Sequence, residues 1–127
     1  SDAAQQAYRM AEVAPRDIQV AEVHDCFSIA EIMAYEDLGF CEKGQGGRYI
    51  EERKSWIGGG GVPVNVDGGL KAKSHPIGAT GVSMACEIVK QLRGDSGARQ
   101  VPNARVGLTH NVGGIGQYTF VHVYKRD

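Results

Sequence analysis

The sequence predicts an α/β fold, a mixed sheet with helices on both of its faces. Three observations predict it. Strand-type and helix-type segments alternate along the chain, which favours a layered α/β arrangement. Glycines, 18 against 4 prolines, fall in clusters that mark tight turns or places of close backbone approach. The last two extended segments are separated only by a short glycine turn, so they should pair antiparallel.

The elements follow in order. Ala3 to Val13 reads as a helix with Tyr8, Met10 and Val13 at apolar positions, and Pro15 ends it. Ile18 to Val23 is alternating and β-branched, the pattern of a strand. His24-Asp25-Cys26 stands at its C-terminal end. Phe27 to Leu38 is an amphipathic helix with Ile29, Ile32 and Met33 on its apolar side, stopped by Gly39. Residues 41–61 have no periodicity and many glycines. They read as a long surface excursion, and excursions of this kind inside compact domains are usually functional. Pro63 to Val66 is a short strand candidate, followed by Asp67-Gly68-Gly69. Ile77 to Leu92 is the second strong helix, with Val82, Ala85, Cys86, Ile88, Val89 and Leu92 near one face and Gly94 as its stop. Ala104 to Leu108 is a buried-type strand. Gly113 to Gly116 makes a turn, and Tyr118 to Tyr124 alternates strictly as a final strand. There is no internal repeat and no second domain.

Composition excludes several classes. A hydrophobic fraction of 42% supplies a packed core and argues against disorder. Lys plus Arg is 14 and Asp plus Glu is 15, so nothing in the charge recommends nucleic acid or an anionic membrane as a partner. No apolar run approaches the roughly 20 residues needed to span a bilayer. Three scattered cysteines, Cys26, Cys41 and Cys86, do not make a disulfide framework and suit a reducing compartment. The first residues read as neither a signal nor a transit sequence. The last four, Tyr124 to Asp127, are not a peroxisomal address, so the expected location is cytoplasmic. Four histidines without ligand spacing give no metal site.

Three constellations carry chemistry. In Lys73-Ser74-His75-Pro76-Ile77-Gly78-Ala79-Thr80-Gly81 a histidine meets a rigid proline turn just ahead of a helix. The glycines permit close approach by a ligand, and free N–H groups at the helix start favour a developing anion. A well-made helix start with an incidental histidine is an equal reading of the spacing alone. In His24-Asp25-Cys26-Phe27 two titratable groups stand at a strand's C-terminal end, where open α/β sheets commonly bind ligands. Cys26 is either a thiol tuned by a helix N-terminus or a small buried hydrophobe. Asp25 is either a helix cap or a catalyst. In Thr109-His110-Asn111-Val112-Gly113-Gly114 a polar pair precedes glycines, so His110, Asn111 and the Gly113 backbone face a pocket or form a plain turn. His122, Cys41 and Cys86 read as structural or surface residues. The joint occurrence of three such segments at strand ends points to one shared cleft.

These residues, with Tyr35-Glu36-Asp37-Leu38-Gly39-Phe40 and Gly68-Gly69, resemble in order the C-terminal half of a thiolase of the sterol-carrier-protein type. Archaeal and bacterial acetyl-CoA acetyltransferases of that branch are similar. The resemblance implies a five-stranded mixed sheet with helices on both faces, residues 1–127 forming the thiolase C-terminal domain. It implies acyl transfer between coenzyme A thioesters in lipid metabolism, with coenzyme A as substrate and no tightly held cofactor. The nucleophilic cysteine of such enzymes lies in the other half, so this half alone should be inactive. His75 is implied to assist thiolate formation and to donate to a thioester oxygen, and Cys26 to be the second acid/base, a role that His110 contests. His24 and Asn111, with the Gly113 backbone, are implied to build oxyanion-stabilising positions. Phe27, Ser74, Pro76 and Gly78 are implied to border the substrate. Ser74 stands where the family usually has glycine, which implies a narrower approach.

The implied partners are the N-terminal thiolase half and further copies of the complete enzyme, as dimer or tetramer. A small zinc-ribbon and oligonucleotide-fold protein is a further possible companion. Two other functions compete. One is a thiolase-like retro-aldolase of steroid side chains, disfavoured because such relatives lose the histidine–proline motif. The other is a non-catalytic partner or scaffold domain.

Overall fold

A computed structural model of the chain describes residues 2–127. Its helices are α1 (Asp2–Ala11), α2 (Ser28–Asp37), α3 (Gly46–Glu51), α4 (Gly69–Lys73) and α5 (Thr80–Arg93). Its strands are β1 (Val20–Val23), β2 (Val106–Gly113) and β3 (Tyr118–Lys125). β1 pairs parallel to β2, from Val20 opposite Gly107 to Val23 opposite His110. β3 runs antiparallel to β2 in the expected hairpin.

Helices cover both faces. On one face Ala4 and Tyr8 of α1 and Ala34, Tyr35 and Leu38 around α2 pack on Ala21, Val23 and Leu108. On the other, Ile88 and Leu92 of α5 pack on Val20, Val101 and Ala104. Alternation along β1 produces this division, since successive side chains leave a strand on opposite sides.

The five-stranded sheet is corrected to three strands among the described residues. Residues 63–66 contribute only a single parallel bridge, Val64 to Ala21, instead of a strand. Pro63 has no N–H to give a ladder, and Asn65 turns out of extended conformation with φ 51°. The excursion at 41–61 contains the short helix α3, and α4 was not anticipated.

Two helix faces also differ from expectation. On α2, Ile29 and Met33 are exposed and Ala34 and Tyr35 are buried. On α5, Val82 and Cys86 are exposed, and the buried stripe is Thr80, Met84, Glu87, Ile88, Gln91 and Leu92. Polar residues hold that stripe down. Gln91 Oε1 accepts from the Val101 N–H at 2.8 Å, and its Nε2 donates to the Arg99 carbonyl at 2.8 Å. Arg99 in turn bonds Glu87 at 3.1 Å. A search for apolar periodicity passes over such positions.

Gly107 lets β2 lie close against Ile88 of α5. A Cβ added there would come within 2.6 Å of Ile88 Cγ2. Gly107→Ala is therefore expected to lower stability by about 1–3 kcal/mol through overpacking, read from the midpoint of urea denaturation. A neutral result would mean that α5 is free to shift.

Candidate active site

The site begins where β1 ends. The His24 N–H donates to the His110 carbonyl at 3.0 Å, extending the ladder one residue beyond the strand. His24 is thereby brought level with the outer part of β2, and its Nδ1 lies 2.8 Å from Asn111 Oδ1. Gly81, in the first turn of α5, leaves room for that amide, because a Cβ there would sit 2.9 Å from Asn111 Nδ2. The imidazole of His75 stands edge-on to that of His24, with ring centroids 4.8 Å apart and planes at 79°.

His75 is fixed from the helix side. Its Nδ1 lies 2.6 Å from Thr80 Oγ1, and that hydroxyl donates to the Pro76 carbonyl at 3.2 Å. In the tautomer that carries its hydrogen on Nδ1, the hydroxyl oxygen accepts from the ring and gives its single hydrogen to the Pro76 carbonyl. Nε2 then keeps a lone pair and is the basic nitrogen. Pro76 also accepts the N–H groups of Ala79 and Thr80, at 2.8 and 3.0 Å, which closes the turn into α5.

Electrostatics disfavour the charged form of His24. Burial lowers its pKa, and the neighbouring His75 adds to this against the opposing pull of Asn111 and Asp25. As oriented, Asn111 Oδ1 accepts, so His24 Nδ1 holds the hydrogen. A half-turn of the amide would present Nδ2 and move that hydrogen to Nε2.

Asp25 resolves to a structural role. It is buried, and its Oδ1 accepts the Leu70 N–H at 2.8 Å, capping α4 instead of the adjacent α2. Gly69 has φ 65° and abuts that carboxylate, so any side chain there would collide with Asp25.

The structure thus gathers His24, His75 and Asn111. Cys26 and Phe27 lie exposed at the β1–α2 junction, and Pro76 and Gly78 are exposed beside His75. Gly113 closes β2, partly buried. His110 goes elsewhere: alternation along β2 sends its side chain to the face of Leu108, away from Asn111. Its Nδ1 is buried without a hydrogen-bond partner, and burial lowers its pKa to about 4. Ser74 has φ 73° and ψ 173°, a region almost reserved for glycine.

Sequence reasoning gives no role to four participants, Thr80, Lys73, Asp67 and Glu22. Thr80 carries a hydroxyl one helical turn beyond the proline. Lys73 bonds Asp67 and reaches Glu22 Oε2 at 3.3 Å, and Glu22 is 1% exposed on β1. Burial, then the Asp67 carboxylate, push Glu22 up to about 8 against the opposing Lys73 ammonium. A charged residue inside a wholly buried strand was the available signal. Among the described residues no group of three or more His, Cys, Asp or Glu side chains is placed to hold a metal. No helix among them is long and apolar enough to cross a membrane.

This α/β layer, with His24 and Asn111 near the outer ends of parallel strands and His75 on the turn into α5, fits a thiolase-type C-terminal domain. The chain belongs to that family: the thiolase C-terminal domain-like family model matches residues 1–126. It is 54% identical over 125 residues to an acetyl-CoA acetyltransferase of Methanothermobacter thermautotrophicus, covering 98% of this chain and 32% of that protein. It is 46% identical over 124 residues to human sterol carrier protein 2, covering 98% of this chain and 22% of the relative. The solved Ltp2–ChsH2(DUF35) aldolase superposes with a TM-score of 0.80 at 27% identity, covering 97% of this chain and 31% of that one. The chain therefore spans about a third or less of the length of these proteins.

Three outcomes are expected. Ser74→Gly should stabilise the chain by about 1 kcal/mol, because it relieves a strained conformation that costs on the order of 1–3 kcal/mol; calorimetry decides it, and destabilisation would contradict the assignment. His110 is depressed from 6.5 to about 4, so its contribution is intact above pH 6.5 and is lost as pH falls toward 4. At about 1.36 kcal/mol per pKa unit the loss reaches about 3 kcal/mol. Glu22 has the opposite sign: stability declines as pH rises from 4.5 to about 8. Denaturation of His110→Asn across pH should lack the acid-side loss, and an unchanged profile would refute the assignment.

Proposed function

We propose that this chain supplies one half of a thiolase active site that transfers acyl groups between coenzyme A thioesters. The His24–His75 ring pair, in a chain 54% identical to an acetyl-CoA acetyltransferase, is the observation that carries the reading. The nucleophile is a cysteine thiol outside this chain, in the remainder of a protein about three times as long. The coenzyme A thioester enters as substrate.

His75 Nε2 takes the proton of the attacking thiol. The thiolate adds to the thioester carbonyl, whose π pair moves onto oxygen. The imidazolium Nε2–H then faces that oxyanion as a preorganised donor. Collapse expels the coenzyme A thiolate, which recovers the proton from His75 and leaves an acyl-cysteine. Thiolysis reverses these steps with a fresh thiol. His24 serves as a second donor in the tautomer that carries its hydrogen on Nε2, which Asn111 selects by offering Nδ2. In the condensing direction the Cys26 thiolate removes the α-proton of the incoming acyl-coenzyme A, and the resulting carbanion attacks the acyl-cysteine carbonyl, forming the carbon–carbon bond and expelling the nucleophilic cysteine as its thiolate. The exposed apolar side chains Phe27, Ile29, Met33, Ile77 and Val82 suit cover by the N-terminal half or by further copies of the enzyme. A small zinc-ribbon and oligonucleotide-fold companion is compatible with the same reading.

The aldolase that superposes at a TM-score of 0.80 favours a second reading, retro-aldol cleavage of a steroid side-chain thioester. It differs in needing neither the acyl-cysteine nor His75.

In the intact protein, His75→Ala should lower kcat for acetoacetyl-CoA thiolysis by roughly 10²–10⁴-fold, the usual span for a lost acid/base. Undiminished thiolysis would end this reading. Carbon–carbon cleavage that needs no free coenzyme A would transfer support to the second.

A further inference from the structure

We infer that Lys73, held between the buried Glu22 carboxyl and the partly buried Asp67 carboxylate, is the positioning residue that sets His75 against His24. The inference rests on the proposed function only for its kinetic arm. Lys73 is the last residue of α4, two positions before His75, and Glu22 lies two positions before His24. The Lys73–Glu22 ion pair, at 3.3 Å, therefore ties the two backbones together at the same distance from each imidazole. Asp67 bonds the same ammonium from the turn before α4. At its other end α4 is held by Asp25 through the Leu70 N–H at 2.8 Å. Two of the tethers of α4, Glu22 and Asp25, thus come from β1 and its extension, the segment that carries His24.

Ser74 is the reason a tether is needed. It connects Lys73 to His75 with φ 73° and ψ 173°, where a non-glycine residue is strained. Such strain persists only where the flanking structure over-determines it. On the His75 side the constraint is Thr80, at 2.6 Å from Nδ1. On the other side it is the Lys73 ammonium. Without that anchor Ser74 relaxes toward negative φ, and the imidazole swings away from His24.

Stability alone does not account for the cluster. Buried ion pairs contribute little net stability once desolvation is counted. Here two carboxylates share one ammonium, and Glu22 Oε1 has no hydrogen-bond partner. Burial works against the Lys73 ammonium, but the two carboxylates outweigh it and raise its pKa. The ammonium therefore stays charged through the neutral range and keeps its bond to Asp67, while Glu22, raised to about 8, gains its full charge only above neutrality.

The test compares Lys73→Met, Asp67→Asn and Lys73→Arg in the intact protein. One readout is hydrogen exchange at the C2 position of each histidine, followed by mass spectrometry. The other is kcat and KM for acetoacetyl-CoA thiolysis. Lys73→Met should speed exchange at His75 while leaving exposed His122 unchanged. It should lower kcat on the order of 10²-fold, the scale of an ångström-size misplacement, with KM near the wild-type value. Lys73→Arg, which keeps the charge, should restore most of both. If Lys73→Met does not fold, Asp67→Asn decides, with a smaller change in the same direction. Wild-type exchange at His75 and wild-type kcat in the variants that fold would overturn the inference. So would a lowered melting temperature with neither change. A wild-type protein without thiolysis would defeat the proposed function, and exchange at His75 would still decide the role of Lys73.

Discussion

The pairing register of β1 against β2 governs the whole candidate site. Val23 stands opposite His110, and the ladder continues for one more bond, from the His24 N–H to the His110 carbonyl. His24 is consequently delivered to Asn111, on the face covered by α5. A slip of one residue would send His24 to the opposite face, into the core around Tyr8 and Tyr35. The same register places Glu22 under α4 and Asp25 at its N-terminus. One short strand therefore presents one histidine and fastens the segment that carries the other.

The segment from Gly68 to Gly81 shows how little space is available. Gly69 abuts the Asp25 carboxylate, and Gly81 abuts the Asn111 amide. Both glycines clear polar groups that would otherwise be displaced by a Cβ. Ser74 between them carries the strain of a glycine conformation without being glycine. Its surroundings supply the constraint from both sides, by charge at Lys73 and by a hydroxyl at Thr80. Local strain of this kind persists where contacts on either side of the strained residue hold it.

Part of this was readable in the sequence, for identifiable reasons. The alternation in Tyr118 to Lys125 and the glycine turn before it specify the hairpin, because both are local signals. His24, His75 and Asn111 were visible because each sits at a strand end or a proline turn. The partner of Asp25 was not, since Leu70 lies 45 residues away. On the inward face of α5 the apolar period identifies Ile88 and Leu92 but passes over Glu87 and Gln91, which are buried through bonds to Arg99 and Val101. His110 and Asn111 are neighbours in sequence yet leave β2 on opposite faces. Residues 63–66 resemble a strand in composition, but Asn65 turns the chain after one bridge.

A crystal structure of the intact protein with a bound coenzyme A thioester tests the central claim most directly. The account predicts the thioester oxygen within about 3 Å of a ring nitrogen of His24 or His75, with the two rings still in edge-on contact. An acyl group bound away from both imidazoles, or His75 turned out of reach of Thr80, would contradict it.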